Sequence, residues 1–138
     1  MKCFLDSNVI ISAGIFPNSL PAAAIVKAIS PPNTAAVSDY SLDETARVIN
    51  KKFPGKVGDF EQFLSRALFT VELVITTADD IEEESKVRDV KDRPILRAAV
   101  AANCDVLITG DKDLLESGAT QPLIVTPAQF LQMSEVLT

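Results

Sequence analysis

The sequence predicts an α/β fold: a parallel sheet covered by helices on both faces, with its chemistry collected along one sheet edge. Three observations lead there. Short apolar runs at 2–5, 35–37, 71–75, 106–109 and 123–126 alternate with segments whose apolar residues recur at helical spacing. Most of these runs are continuously apolar, as strands buried on both faces are. Asp6 directly follows the first run and Asp111 closely follows the fourth, at the strand ends where open α/β sheets take their ligands.

The elements follow in order. The strand at 2–5 is stopped by Asp6-Ser7-Asn8, and a helical stretch over 9–13 is expected to break near Gly14 and Pro17. An Ala-rich helix spans 20–29 and ends at the turn Ser30-Pro31-Pro32-Asn33. After the strand at 35–37, Ser41 is expected to cap a helix that runs to about Phe53. Glu44 lies three residues on, in the capping-box pattern, and so on the first turn. A helix over 57–69 carries Phe60, Phe63, Leu64 and Ala67 on one stripe, and a strand at 71–75 follows. Residues 76–93 are the least regular and most acidic part. Pro94 sits at the start of a helix to about Ala102, a short turn of helix surrounds 113–115, and Pro127 opens the last helix. No linker, repeat or low-complexity tract divides the 138 residues, which predicts a single domain over 1–138 with a sheet of four to five strands.

Composition restricts the chemistry. Hydrophobic residues make up 47% of the chain but aromatics only 6%, so the core is aliphatic. There is no histidine, which excludes an imidazole base, His-based zinc sites and Ser-His or Cys-His triads. The net charge of −6 argues against holding nucleic acid by bulk positive charge, although acids gathered at a metal site are compatible with it. Cys3 and Cys104 have neither metal nor disulfide spacing and read as reduced structural thiols. With no signal-peptide pattern and no run long enough to span a bilayer, the expectation is a cytoplasmic protein that does not engage membranes.

The predicted topology delivers four acids distant in sequence, Asp6, Glu44, Asp92 and Asp111, to one edge. Like charges packed together cannot all stay ionised without a cation among them. Carboxylate oxygens with no soft ligand nearby suit Mg²⁺ or Mn²⁺. Each acid also has a local explanation: a turn residue or N-cap for Asp6, a capping-box partner for Glu44, an N-cap for Asp92, and a turn before an N-cap for Asp111. No one of them is specific alone; together they are.

The same residues carry a family resemblance. The opening 4–13 segment, with its strand and then Asp6-Ser7-Asn8, resembles the start of PIN-domain nucleases. Val37-Ser38 followed by Ser41-Leu42-Asp43-Glu44 is similar to the family's second-acid element, and Asp89-Val90-Lys91-Asp92-Arg93-Pro94 to its third. The segment 105–115, with Thr109-Gly110-Asp111-Lys112-Asp113, resembles the fourth, and 124–131 the final strand and helix. Val90 departs from the family, which often has proline there, and Glu82-Glu83-Glu84 is unusually acidic.

The resemblance implies a Rossmann-like three-layer α/β/α PIN domain, of the toxin type found in VapBC-like toxin–antitoxin modules. It further implies a ribonuclease that uses Mg²⁺ or Mn²⁺ held by Asp6, Glu44, Asp92 and Asp111, with RNA as substrate, an antitoxin protein as partner and a homodimer. Asn8 and Thr109 are then candidates to support the ligands or meet phosphate, and Asp89 and Asp113 are auxiliary acids with surface or capping roles as the alternative. Among Arg88, Arg93, Arg97, Lys51, Lys52 and Lys112, all expected near the edge, Arg93 and Lys112 adjoin proposed ligands and are the candidate phosphate contacts. An antitoxin groove is expected on the helices at 20–29 and 41–53. Two other readings compete. A haloacid-dehalogenase-type phosphatase needs an acid two positions after its nucleophile, where this chain has Asn8. A PIN fold that only binds a protein partner is the alternative of a different class.

Overall fold

The computed structural model describes residues 1–134. Its five strands, β1 (Lys2–Leu5), β2 (Thr34–Ser38), β3 (Glu72–Val74), β4 (Val106–Ile108) and β5 (Leu123–Val125), form one parallel sheet in the order β3-β2-β1-β4-β5. The chain builds outward from β1 to β3, then crosses back to β4 on the other side of β1. The order therefore reverses between β1 and β4, and such a reversal opens a crevice at the strand carboxyl ends. The expected parallel sheet, covered on both faces, is what the chain forms.

Side chains alternate across the sheet. Cys3, Leu5, Ala35, Val37, Val106, Ile108 and Val125 face one layer, packing on α1 (Ser7–Ile15), α2 (Leu20–Ile29), α3 (Asp39–Lys52), α4 (Val57–Ala67) and α7 (Pro127–Gln132). Phe4, Ala36 and Leu107 face the other, against Ile95, Leu96 and Ala99 of α5 (Arg93–Ala101) and Leu114 of α6 (Lys112–Leu115). Aliphatic residues dominate both layers, as the low aromatic content implied. Cys3 and Cys104 are free and buried, and burial raises their thiols to about 11 and about 12, which leaves them inert at neutral pH. Among the described residues no single helix is long and apolar enough to cross a membrane.

Two expectations, the α3 cap and the length of β3, fail locally. The α3 cap is Ser38, whose hydroxyl accepts from the Ser41 amide at 3.0 Å; Ser41 lies inside the helix, fully buried. Asp39 begins α3, so Glu44 stands on the second turn and takes no part in a capping box. The helix after β1 ends at Ile15, between Gly14 and Pro17, where the break was expected. Gly14 is placed there by packing, because a Cβ on it would overlap the Phe60 ring of α4. β3 is confined to Glu72–Val74, an edge strand with Leu73 exposed.

Candidate active site at the sheet edge

Asp6 is the centre of the arrangement. It is only 1% exposed, at the end of β1, where its backbone amide donates to Ile108 of β4. Its side chain does cap α1, as the local reading allowed: Oδ1 accepts from the Ser7 amide at 2.7 Å and from the Ser7 hydroxyl at 3.4 Å. Oδ2 accepts from the Thr109 hydroxyl at 2.7 Å and from Asn8 Nδ2 at 3.1 Å. Burial is the main cause of a carboxyl raised to about 6; the Thr109 and Ser7 hydrogen bonds pull the other way, and Glu44 and Asp111 add repulsion.

The other three expected acids connect to this centre in different ways. The Ser7 hydroxyl also donates to Glu44 Oε1, so one side chain joins two acids. Thr109, buried just beyond β4, accepts from the Asp111 amide at 3.0 Å while donating to Asp6. Asn8 locks the two strand ends together: its amide nitrogen also reaches Thr109 at 3.3 Å, and its Oδ1 accepts from the Gly110 amide at 3.0 Å. Asp111 caps α6, accepting from the Asp113 amide at 2.9 Å. Asp92 occupies the N-cap position of α5 but makes no capping bond. Its carboxyl is raised to about 8, first by burial, then by hydrogen bonding to Asp111 and that acid's charge, with Asp89 and Asp6 adding to it.

The tightest trio of acids is not drawn from the expected four alone. Ligand oxygens of Asp89, Asp92 and Asp113 lie within 4.8 Å of one another. Asp89 Oδ1 accepts from the Lys91 amide at 3.0 Å, and Asp113 pairs with Arg88. The expected basic residues divide. Arg93 is half-buried, and its Nε donates to the Val87 carbonyl at 2.9 Å. Arg97 is engaged by Glu84, Asp80 and the Thr77 carbonyl. Lys112 is exposed beside Asp111, and Lys51 and Lys52 are exposed on the last turn of α3.

Two residues escaped the sequence reading. Ser7 was passed over as a turn residue, although a hydroxyl directly after a strand-terminal acid, at a helix start, is placed to meet a second acid. Tyr40 donates to the Lys91 carbonyl at 2.6 Å and so ties the segment bearing Asp89 and Asp92 to the helix bearing Glu44; its place four residues before Glu44 puts both on one helix face. Arg88, expected near the edge, is there: it pairs with Asp113.

The donor set fits a hard divalent cation. It offers only oxygens, and two of its carboxyls are driven toward protonation by burial and mutual charge, a condition that a cation relieves.

A reversed-order parallel sheet with an array of acids at its crevice defines an α/β domain of the three-layer type. The chain belongs to the PIN-domain family: the family model, described as PIN domain, matches residues 2–113. No curated protein matches it in sequence. Solved structures share the fold. One is the crystal structure of VapBC2 from Rickettsia felis bound to a DNA fragment from their promoter, with TM-score 0.68 and 18% identity, covering 91% of this chain and 98% of that one. Another is VapC20 of Mycobacterium tuberculosis, a sarcin-ricin loop cleaving toxin, with TM-score 0.58 and 19% identity, covering 84% and 95%. The three-layer α/β/α PIN fold expected from the sequence is the observed one.

Proposed function

We propose that this chain is an endoribonuclease that hydrolyses RNA phosphodiester bonds with Mg²⁺ or Mn²⁺, and that it is the toxin half of a toxin–antitoxin pair. The observation that carries this reading is the linked array of Asp6, Glu44, Asp92 and Asp111, with the Asp6 and Asp92 carboxyls raised, in a PIN-family chain. Those four residues would hold the ion. Bound there, a divalent cation supplies a Lewis acid that yields a water nucleophile at neutral pH and offsets charge on the phosphate. The chain's own contribution is positional. Ser7, Asn8 and Thr109 keep Asp6 from turning, Asp113's amide orients Asp111, and Tyr40 fixes the spacing across the site. No attack by a ribose 2′-hydroxyl is needed, so the products carry a 5′ phosphate and a 3′ hydroxyl.

RNA as substrate is supported by VapC20's description as a sarcin-ricin loop cleaving toxin, and an antitoxin partner by the pairing in VapBC2. The partner's place is an apolar groove of about 640 Å³ between α2 and α4, lined by Ile25, Val26, Ile29, Phe60 and Phe63 and rimmed by Lys56, Asp59 and Arg66. The groove uses α4 where α3 was expected. We place the protein in the cytoplasm as a single-domain homodimer. Asn8, with its amide bonded to Asp6, leaves no acid for a dehalogenase-type phosphatase.

The test is RNA cleavage by purified protein with Mg²⁺ or Mn²⁺, its loss in chelator and in Asp6→Asn, and the end groups of the products. If neither ion supports cleavage and Asp6→Asn leaves growth inhibition unchanged, the nuclease reading fails. The alternative, a PIN fold that only binds a protein, then takes its place.

A further inference from the structure

We infer that Arg88 holds a phosphate of the RNA strand next to the one being cut; this rests on the ribonuclease reading above. Arg88 has the two properties such a contact needs, a fixed backbone and a free side chain. Its backbone lies between buried Val87, whose carbonyl accepts from Arg93 Nε, and Asp89, which caps the turn to Asp92. The following turn is pinned through the Lys91 carbonyl to Tyr40. The side chain itself is 86% exposed, and among the described residues its one bond is the ion pair with Asp113, Nη2 to Oδ1 at 2.6 Å.

That pair places a guanidinium at the rim of the acid array, since Asp113 shares its trio with Asp89 and Asp92. A guanidinium has five donors in a planar fork, and one nitrogen is engaged here. An exposed ion pair contributes little, so exchanging or sharing the Asp113 carboxylate for a phosphate costs little. The need is physical as well. An array of acids repels a polyanion, and a cation at its edge gives the RNA backbone a favourable approach. Arg97, by contrast, has all three nitrogens engaged, by Glu84, Asp80 and the Thr77 carbonyl, and Arg93 gives its Nε to the Val87 carbonyl.

The experiment measures binding of a labelled single-stranded RNA oligonucleotide of mixed sequence, with Ca²⁺ replacing Mg²⁺, across a salt series. Wild type is compared with Arg88→Ala, Arg88→Lys and Lys51→Ala, the last from the final turn of α3. Arg88→Ala is expected to bind roughly tenfold more weakly. The slope of log affinity against log salt should fall by about 0.7, the share of one single-strand phosphate. Arg88→Lys should keep the slope and recover part of the affinity, Lys51→Ala should match wild type, and melting temperatures should not differ. An unchanged slope in Arg88→Ala overturns the inference, and so does tighter binding of RNA or metal, which would make Arg88 a built-in stand-in for the cation. If wild type cuts RNA and only the Arg88 result fails, the ribonuclease reading stands; if wild type neither binds nor cuts RNA, both fall.

Discussion

Glu84 and Asp6 are buried to nearly the same degree, 3% and 1% exposed, and the chain treats them in opposite ways. Glu84 is closed. Its Oε2 accepts from Arg97 Nε at 3.1 Å, its Oε1 from the Ile81 amide at 2.9 Å, and Arg97 goes on to Asp80 and the Thr77 carbonyl. The cation that a buried carboxylate requires is covalently part of the protein. Asp6 has hydrogen bonds but no cation: among the described residues no basic side chain forms an ion pair with Asp6, Glu44, Asp92 or Asp111. The first cluster is a structural joint between α5 and the turn at Glu82–Lys86. The second is left electrically incomplete, and an incomplete charge balance inside a well-packed fold is a mark of function.

This contrast predicts opposite outcomes for similar substitutions. Asp92→Asn should lower cleavage by about a thousandfold, the largest effect expected, because it removes a ligand and a charge from the reacting centre. It should also raise the melting temperature in chelator at pH 8, because an amide sits beside Asp111 without taking up a proton. Glu84→Ala should do the reverse. It leaves a largely buried guanidinium short of its partner and should cost about 3–5 kcal/mol by urea denaturation, a large share of the stability of a domain this size. Cleavage by the fraction that stays folded should persist. Were Asp92→Asn to destabilise as Glu84→Ala does, the distinction between an open and a closed cluster would be lost.

Thr109→Val is a finer probe. The shape is kept, but the hydroxyl that bonds Asp6, Asn8 and the Asp111 amide is gone. A loss of about 10–100-fold in metal affinity or kcat/KM is expected, typical of groups that orient a metal ligand. Titration of Mn²⁺ against activity would separate the two. An unchanged metal dependence would mean that Asp6 is held well enough by Ser7 and Asn8.

The sheet and the acids at its edge were legible because they depend on strong, local signals. Continuous apolar runs mark strands buried on both faces, and a parallel sheet then carries Asp6 and Asp111 to the same edge whatever the loops do. What escaped depended on distance. Ser38 rather than Ser41 caps α3, and the two serines differ only in where the strand releases the chain. The helix end just past Gly14 was legible, but not the Phe60 ring of α4 that packs against that glycine. Ser7 and Tyr40 act through partners 37 and 51 positions away. Spacing along a chain does not report such pairings. Arg93 gives its Nε to the Val87 carbonyl, six positions back, a tie that its adjacency to Asp92 does not report.

The smallest expected effect is on stability against pH, and it follows from the sign of the shifts. Asp6 and Asp92 have folded-state carboxyls at about 6 and about 8 against an ordinary 3.8. Between the ordinary and the raised values the folded chain binds more protons than the unfolded one, so stability falls as pH rises through that window. Their contribution is complete below about pH 4 and lost by about pH 8. A bound cation replaces those protons. The gain in melting temperature on adding Mn²⁺ should therefore be small at pH 5 and larger at pH 8, with protons released on binding. Glu84, whose cation is built in, should add nothing to that difference, and the Mn²⁺ gain should vanish in Asp92→Asn. A gain equal at both pH values would mean that the ion binds away from these two acids.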